Sequence, residues 1–278
     1  MGTAAPAWTM CDNYFSAFMG PTWPNRFYQH CAQSPRADNR LAPIDVPTIW
    51  DRVAAAGLEG RYYFSDAPFA ALLGIRHLLV SRTFDQFLSD AGKVGCPRQF
   101  RRPAVRHIRP VRHLSDYHPL SDIRLGDQFL HQVYEAVTNS PNWDRTVLVV
   151  NFDEWGGFAD HVTPKVVPDV RPGFGQRGFR VPCLVASPLA RRGHVAHGEY
   201  DHASVLKMIE WAFDLEPLTP RDASAANLAD VLDLDSPPDA SAPHWELPEF
   251  TPDDCVEDFV NEIWEDLLVE ARRQGWPV

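Results

Sequence analysis

Two adjacent carboxylates, Asp153 and Glu154, stand directly behind an apolar run at residues 146–150. The run reads Thr-Val-Leu-Val-Val and predicts a strand over 146–152 that is buried on both faces. Ligands bind beyond the carboxyl ends of the strands in sheets of this kind. Two carboxylates there repel each other and are costly to desolvate unless a cation lies between them. The pair therefore indicates either a site for a hard metal ion or, as the structural alternative, a surface loop with a strand-capping Asp.

Two glycines follow the pair and allow the chain to turn back toward it. Gly156 and Gly157 tolerate positive φ and close approach of the backbone. Such a turn would return Asp160 and His161 to the neighbourhood of the two carboxylates.

Further polar residues fall at the ends of other predicted elements. They are Thr22, Asn25 and Arg26 in a Thr-Trp-Pro-Asn-Arg segment, His118 before a proline, and Asp201 with His202 at the start of a predicted helix. Each has a plain structural explanation as a turn residue or a helix cap. Only their combination argues for a functional site.

The elements that must position these residues alternate between helices and strands. Helices are predicted over 9–19, 47–57, 83–91, 122–138 and 203–213, strands over 61–64, 107–108, 146–152 and 181–186, and a polar turn over 22–26. This alternation predicts an α/β fold with a mixed sheet. Residues 1–235 are predicted to form the folded domain, followed by a proline-rich linker at 236–252 and an amphipathic C-terminal helix within 253–278.

The composition indicates a globular protein, and it disfavours some functions. Hydrophobic residues make up 45% of the 278 positions, and no run reaches the length of a membrane span. The net charge of −11 argues against a general nucleic-acid binder. The N-terminus has no signal-peptide pattern, and the five scattered cysteines suggest reduced, packed thiols, which favours a cytoplasmic location for the chain as written. A secreted or periplasmic protein is the alternative if the true N-terminus lies upstream.

One segment departs from the acidic average. The stretch from Lys93 to Arg112 carries seven basic residues and no acidic one. It is either a solvated face or a local positive field that guides a phosphate-bearing substrate.

Four stretches, in their order along the chain, resemble one family. They are GPTWPNRFY (20–28), DYHPLSDIRLGDQFL (116–130), NFDEWGGFADHV (151–162) and the segment 180–233 around EYDHASVLKMIEWAFD. They resemble the bacterial phosphoesterase family that contains phosphatidylcholine-type phospholipases C and acid phosphatase A. That family belongs to the alkaline-phosphatase-like superfamily, so the resemblance implies a large mixed β-sheet sandwiched between helices.

The resemblance also implies the chemistry of the site. Thr22 matches the nucleophile, which would attack phosphorus and form a phospho-threonine intermediate. Asp153 and Glu154 match the paired acidic ligands of one divalent metal ion, with Ca²⁺, Mg²⁺, Mn²⁺ and Zn²⁺ all admissible. His118 matches a His-Pro site and would protonate the leaving oxygen or hold the phosphate.

The remaining matched residues are expected to lie near the phosphate. His161 and His202 match Asp-His positions and are expected to contact the phosphate or support its ligands. Asn25 and Arg26 would either contact the phosphate or stabilise the turn that carries Thr22.

The sequence departs from the family pattern in three places. A Glu-Asn-x-Ser-Phe-Asp segment, which supplies the remaining metal ligands at the end of the first strand, does not occur in the chain. We therefore expect a fold that lacks the N-terminal strand or strands. Trp155 stands where a His often follows the acidic pair, and the segment 106–110 is basic where the family usually has an acid.

Three interpretations of the function stay open. The first is a metal-dependent hydrolase of phosphate esters, most simply phosphodiesters as in a phospholipase C, whose reading frame begins upstream; an acid phosphatase acting on monoesters is its variant. The second is a truncated homologue that binds phosphoesters without turnover. The third is an interaction module acting through the acidic tail with Trp245, Trp264 and Trp276. The expected ligand is a small phosphoester or a phospholipid headgroup, and the oligomeric state is left open.

Overall fold

The computed structural model describes residues 2–65, 68–93, 99–104, 117–119 and 122–250. Several predictions lie outside these ranges. They concern the strand at His107-Ile108, the helix within 253–278, Cys96 and Cys255, Trp264 and Trp276, and most of the basic stretch after Lys93.

The described residues form an α/β fold, which confirms the predicted class. The strands are β1 (Thr9–Cys11), β2 (Tyr14–Phe15), β3 (Glu59–Phe64), β4 (Ser81–Thr83), β5 (Gln99–Ala104), β6 (Leu148–Asn151), β7 (Cys183–Ala186), β8 (His194–Ala196) and β9 (Tyr200–Asp201). The helices are α1 (Thr22–Cys31), α2 (Ile49–Ala55), α3 (Phe84–Ala91), α4 (Ile123–Thr138), α5 (His202–Phe213) and α6 (Pro220–Ala223). Short 3-10 helices cover Ala5–Ala7, Phe69–Leu73, Ile75–Val80, Trp143–Arg145 and Leu228–Val231.

The largest sheet within these ranges is mixed, as the sequence predicts. Its strand order is β6-β7-β1-β8. The β6–β7 and β7–β1 pairs are antiparallel, whereas β1 and β8 run parallel. Parallel pairs also form the small β2-β9 sheet and the β4-β3-β5 sheet. The register pairs Asn151 at the end of β6 with Cys183, so the acidic loop after β6 leaves this sheet at a defined edge.

Local signals explain why most helices begin where they do. Thr48, Thr83 and Asp201 each form a capping box with the residue three positions on, and Asp122 caps α4 through its side chain. Each cap satisfies backbone N–H groups that have no partner inside the helix. The predicted starts of α2, α3, α4 and α5 are thereby confirmed within two residues.

The main core lies between the four-stranded sheet and the helices. All residues of β7 are buried, and α1 packs against α5. Cys11, Cys31 and Cys183 are free and buried, in agreement with the expected packed thiols. No helix within the described ranges is both long and apolar enough to span a bilayer.

Three predictions about local structure are wrong. The segment 9–19 contains the short strands β1 and β2 instead of a helix, because sheet pairing with β7, β8 and β9 overrides the apolar spacing. The segment 22–26 is the first turn of α1, not a turn between elements; Pro24 is compatible with this position because the first helical N–H groups have no acceptor within the helix. Strand β6 is half-buried, since it lies at one edge of the sheet formed by the described strands.

Candidate functional site

The site is built around the acidic loop, residues 152–156, which follows β6. Three other parts of the chain contact this loop: α1 through Arg26, the start of α5 through His202, and the His118-Pro119 segment. Arg26, His202 and the His118 segment, from separate parts of the sequence, are thus brought to the acidic loop.

Arg26 connects α1 to the loop. Its Nε donates to Asp153 Oδ2 at 2.9 Å, and its guanidinium carbon lies 5.6 Å from the centre of the Phe69 ring. Arg26 is 8% exposed, so the ion pair is shielded from bulk water on the arginine side. Asp153 therefore already has a cation beside it, and that cation is a side chain of the protein.

Thr22 lies one helical turn before Arg26 and on the same face of α1, because residues four apart are neighbours on a helix surface. Thr22 is 1% exposed, and its Oγ1 has no hydrogen-bond partner. A buried hydroxyl without a partner is costly and calls for an explanation such as a catalytic role. Thr22 is the first residue of α1, where the positive end of the helix dipole favours a developing oxyanion.

Glu154 points back into its own loop. It is 7% exposed, and its Oε2 accepts from the backbone N–H of Gly156 at 2.5 Å. Gly156 adopts φ of 65° and Gly157 φ of 80°, as the sequence predicts for a sharp turn. The loop therefore presents its two carboxylates on a tightly turned backbone.

His202 holds the loop by its backbone. Its Nε2 lies 2.7 Å from the Asp153 carbonyl oxygen, which can only accept, so Nε2 carries the proton. Nδ1 is then the acceptor for Tyr14 Oη at 3.1 Å and Asn151 Nδ2 at 3.2 Å. Burial lowers the pKa of His202 to about 4. The imidazole is thus neutral and has partners at both nitrogens, and the structure assigns it to positioning Asp153.

A chain of buried ion pairs anchors the start of α5. Asp201 caps the helix and also accepts from Arg221 at 3.1 Å, while Arg221 reaches Asp169 at 3.5 Å. Arg177 Nη1 lies 3.9 Å from the same Asp201 oxygen, Oδ2. These contacts fix the position from which His202 reaches the acidic loop.

The His118 segment reaches the same loop. The Cγ of Pro119 would lie 3.1 Å from a Cβ built on Gly156, and the Tyr117 ring packs on Phe152 at 4.9 Å between centres. His118 Nδ1 lies 2.9 Å from the Pro119 carbonyl oxygen and must donate to it. In the neutral imidazole, Nε2 is then the nitrogen that can take or return a proton.

Two predicted residues have other surroundings. The Asn25 side chain accepts from the backbone of Phe18 and donates to the carbonyls of Phe18, Gly20 and Pro21, so it shapes the chain before α1. The His161 side chain is 88% exposed and contacts Asp160, which is paired with Arg180. Among the described residues, His161 forms no hydrogen bond or ion pair with the acidic loop, and its expected phosphate contact stays a prediction.

Trp155 has a structural role in the loop. It is 9% exposed, packs edge-on against Phe179 at 5.7 Å between ring centres, and lies against Gly178. A Cβ at position 178 would overlap the Trp155 ring, so the close packing requires glycine there.

The donor atoms fit a hard cation only in part. Asp153 and Glu154 supply carboxylate oxygens and Thr22 a buried hydroxyl, which are donor types that Mg²⁺ and Ca²⁺ accept. Within the described ranges, however, no three His, Cys, Asp or Glu side chains are grouped as a metal site would require. These residues therefore supply part of a ligand set, and the rest would have to come from elsewhere.

Sequence reasoning missed Tyr14, Asn151 and Tyr117. Tyr14 and Asn151 select the tautomer of His202, and Tyr117 packs the His118 segment on Phe152. The available signal for Asn151 was its place at the end of an apolar strand; Tyr14 lay in a segment predicted to be helical, where no such role was expected.

Comparisons with known proteins identify relatives over most of the chain. A family model described as "Phosphoesterase family" matches residues 2–216. Non-specific phospholipase C6 of Arabidopsis thaliana is 31% identical over an alignment that covers 87% of this chain and 52% of that protein. Phospholipase C B of Mycobacterium tuberculosis is 29% identical, with 88% of this chain and 56% of the relative covered. The chain thus spans about half the length of these curated relatives.

A solved structure of a protein in the alkaline phosphatase superfamily from Vibrio parahaemolyticus also matches. It covers 98% of this chain and 80% of its own, with 12% identity and a TM-score of 0.49.

Proposed function

This chain belongs to the phosphoesterase family, and on that basis we propose that it hydrolyses phosphate esters with Thr22 as the nucleophile. The observation that carries the proposal is the buried Thr22 hydroxyl. It has no hydrogen-bond partner and lies on the helix face from which Arg26 reaches Asp153. A purely structural threonine at this place would be expected to bond to a neighbouring carbonyl or N–H group.

The chemistry proceeds through the residues of the chain in two steps. Thr22 Oγ1 attacks phosphorus in line with the leaving alcohol, and the positive end of α1 stabilises the negative charge that develops nearby. His118 Nε2 receives the proton that Thr22 Oγ1 loses and passes it to the departing oxygen; it then takes a proton from the water that cleaves the phospho-threonine and returns it to Thr22 Oγ1. His202 keeps the acidic loop in register during both steps, because its Nε2–H holds the Asp153 carbonyl.

Access to Thr22 needs movement of its surroundings. The residue is 1% exposed, so a phosphoester reaches the hydroxyl only when the side chains that cover it are displaced. Binding energy from the rest of the substrate is the expected source of this displacement.

We propose further that the reaction depends on one divalent metal ion held by Asp153 and Glu154, from among Ca²⁺, Mg²⁺, Mn²⁺ and Zn²⁺. Such an ion would lower the pKa of the nucleophile and neutralise phosphoryl oxygens. Additional ligands would be waters or groups from outside the described residues.

A phosphodiester with a phospholipid-type headgroup is the proposed substrate class. Relatives named phospholipase C, from a plant and from bacteria, support this choice over a monoester. The acidic net charge of −11 favours a small phosphoester over a nucleic acid. Hydrolysis of monoesters, as by an acid phosphatase, is the alternative.

The test compares hydrolysis of p-nitrophenyl phosphorylcholine and p-nitrophenyl phosphate by the wild-type chain, Thr22→Ala and Thr22→Ser. Thr22→Ala is expected to lose at least about 3 kcal/mol of transition-state stabilisation, about 160-fold in rate, because the attacking oxygen is gone. Thr22→Ser keeps a hydroxyl and is expected to retain most of the activity. An unchanged rate in Thr22→Ala would refute the nucleophile assignment.

The same assay separates turnover from binding alone. A folded wild-type chain that binds phosphorylcholine in calorimetry but hydrolyses neither ester would support the non-catalytic alternative. With turnover, Asp153→Asn and added EDTA are each expected to abolish it, and activity that survives both would refute the metal requirement.

A further inference from the structure

The Arg26 guanidinium lies beside Asp153, where the sequence predicts a metal ion. Two adjacent carboxylates need a cation beside them, and the Arg26 guanidinium, with Nε 2.9 Å from Asp153 Oδ2, supplies one. The pair is formed by two side chains that are only 10% and 21% exposed, so water screens their attraction weakly.

We propose that Arg26 is a built-in competitor for the metal ion at Asp153, so that it sets the metal affinity of the site. The inference rests on the proposed function, since it takes Asp153 to be a metal ligand. It reassigns Arg26 from the expected phosphate contact to a contact with the acidic loop.

Electrostatics gives the direction of the effect. An arginine stays protonated at any working pH, so a divalent ion that binds Asp153 meets a fixed positive charge within a few ångströms. The ion must either tolerate that repulsion or displace the guanidinium from a well-formed hydrogen bond. The repulsion and the displacement each lower the affinity of the ion for Asp153. Neither effect remains when the charge at position 26 is removed.

Packing restricts movement of the Arg26 side chain away from Asp153. The side chain extends from the second turn of α1, is 8% exposed and lies over the Phe69 ring. Displacement from Asp153 therefore means leaving a packed position, which adds to the cost of metal binding.

The experiment measures affinity directly by isothermal titration calorimetry. Mg²⁺, Ca²⁺, Mn²⁺ and Zn²⁺ are each titrated into the full 278-residue chain and into Arg26→Gln, Arg26→Lys and Arg145→Gln. Arg26→Gln is expected to bind at least one of the ions about tenfold or more tightly than the wild type, because the competing charge is lost. Arg145→Gln removes the same charge from an exposed arginine before the opposite end of β6 and is expected to leave the affinity unchanged.

Equal or weaker binding by Arg26→Gln would overturn the inference, as would absence of binding in every variant. Circular dichroism checks that each variant is folded. If Arg26→Gln does not fold, Arg26→Lys provides the test. The flexible lysine ammonium releases the Asp153 carboxylate more easily than the planar arginine guanidinium does, so a severalfold gain in metal affinity is expected. An affinity equal to that of the wild type would overturn the inference.

The outcome is separable from that of the proposed function. A gain in metal affinity without any Thr22-dependent hydrolysis would keep the inference and refute the enzyme. Thr22-dependent hydrolysis with no gain in metal affinity for Arg26→Gln would refute the inference and support the proposed function.

Discussion

Glu210 predicts an unusual dependence of stability on pH. It lies on the buried side of α5, is 3% exposed, and its carboxyl group faces the buried Asp222 carboxylate. Burial raises the pKa of Glu210 to about 9 from an ordinary value of 4.5, and the buried Asp222 carboxylate adds to the increase, while Lys207 and Arg52 oppose it. Glu210 is therefore protonated in the folded protein at neutral pH.

The sign of the effect follows from proton linkage. The folded state holds the Glu210 proton between pH 4.5 and 9, whereas the unfolded chain releases it. The stabilisation is complete below pH 4.5 and is lost progressively as the pH rises toward 9. Each pH unit within this window lowers the free energy of unfolding by up to about 1.4 kcal/mol, or roughly 4 kcal/mol between pH 5.5 and 8.5.

Glu210→Gln isolates this contribution, because glutamine has a similar shape and stays neutral. Urea unfolding of the wild type and the variant at intervals from pH 5.5 to 8.5 gives two stability curves. As the pH rises, the free energy of unfolding of the wild type is expected to fall relative to that of Glu210→Gln. Titration of the other groups affects both proteins equally and cancels in the difference. Glu216→Gln is the matched control, because Glu216 is exposed and lies shortly after α5. Its stability curve should run parallel to that of the wild type. Parallel curves for Glu210→Gln and the wild type would refute the reasoning.

Three further predictions concern the supports of the site. Arg221→Ala removes the guanidinium paired with the buried Asp169 and Asp201, leaving Asp201 with the more distant Arg177 at 3.9 Å, and is expected to lower the free energy of unfolding by about 3–5 kcal/mol; a loss under 1 kcal/mol in urea unfolding would contradict this. Gly178→Ala forces a Cβ into Trp155 and Ser16 and is expected to cost about 1–3 kcal/mol in thermal unfolding, against little change for Gly92→Ala, whose Cβ meets only an ordinary contact; equal melting temperatures would contradict it. The His202 imidazole, whose pKa burial lowers to about 4, is expected to keep neutral NMR shifts at pH 5.5, and protonated shifts there would contradict its buried position.

The sequence predicted best where local chemistry decides the structure. Capping residues such as Thr83 and Asp201 place helix starts through side-chain hydrogen bonds to neighbouring N–H groups, and these starts are visible in a few letters. The two glycines after the acidic pair predicted the sharp turn that the backbone makes. Motif resemblance singled out Arg26, His118 and His202 for roles at the phosphate, and those roles stay predictions; the structure adds that Arg26, His202 and Pro119 lie beside the acidic loop.

The sequence predicted poorly where distant partners decide. Residues 9–15 pair with strands nearly two hundred positions away, and that pairing outweighs an apolar spacing suited to a helix. The cation beside Asp153 could not be identified either, since nothing in the order of residues shows that Arg26 lies within reach of it. His202 illustrates the same limit: its motif left open a phosphate contact or a support of the ligands, and its burial beside Tyr14 and Asn151 favours the support.

The shared use of Asp201 has a consequence for local unfolding. Its carboxylate both caps α5 and binds Arg221, the second residue of α6. If α6 opens, the first turn of α5 loses the cation that holds its cap, and with it the anchor of His202. Amide protons in α6 and in the first turn of α5 should therefore exchange with solvent in one cooperative unit, with a common opening free energy, even though six residues of loop separate the two helices.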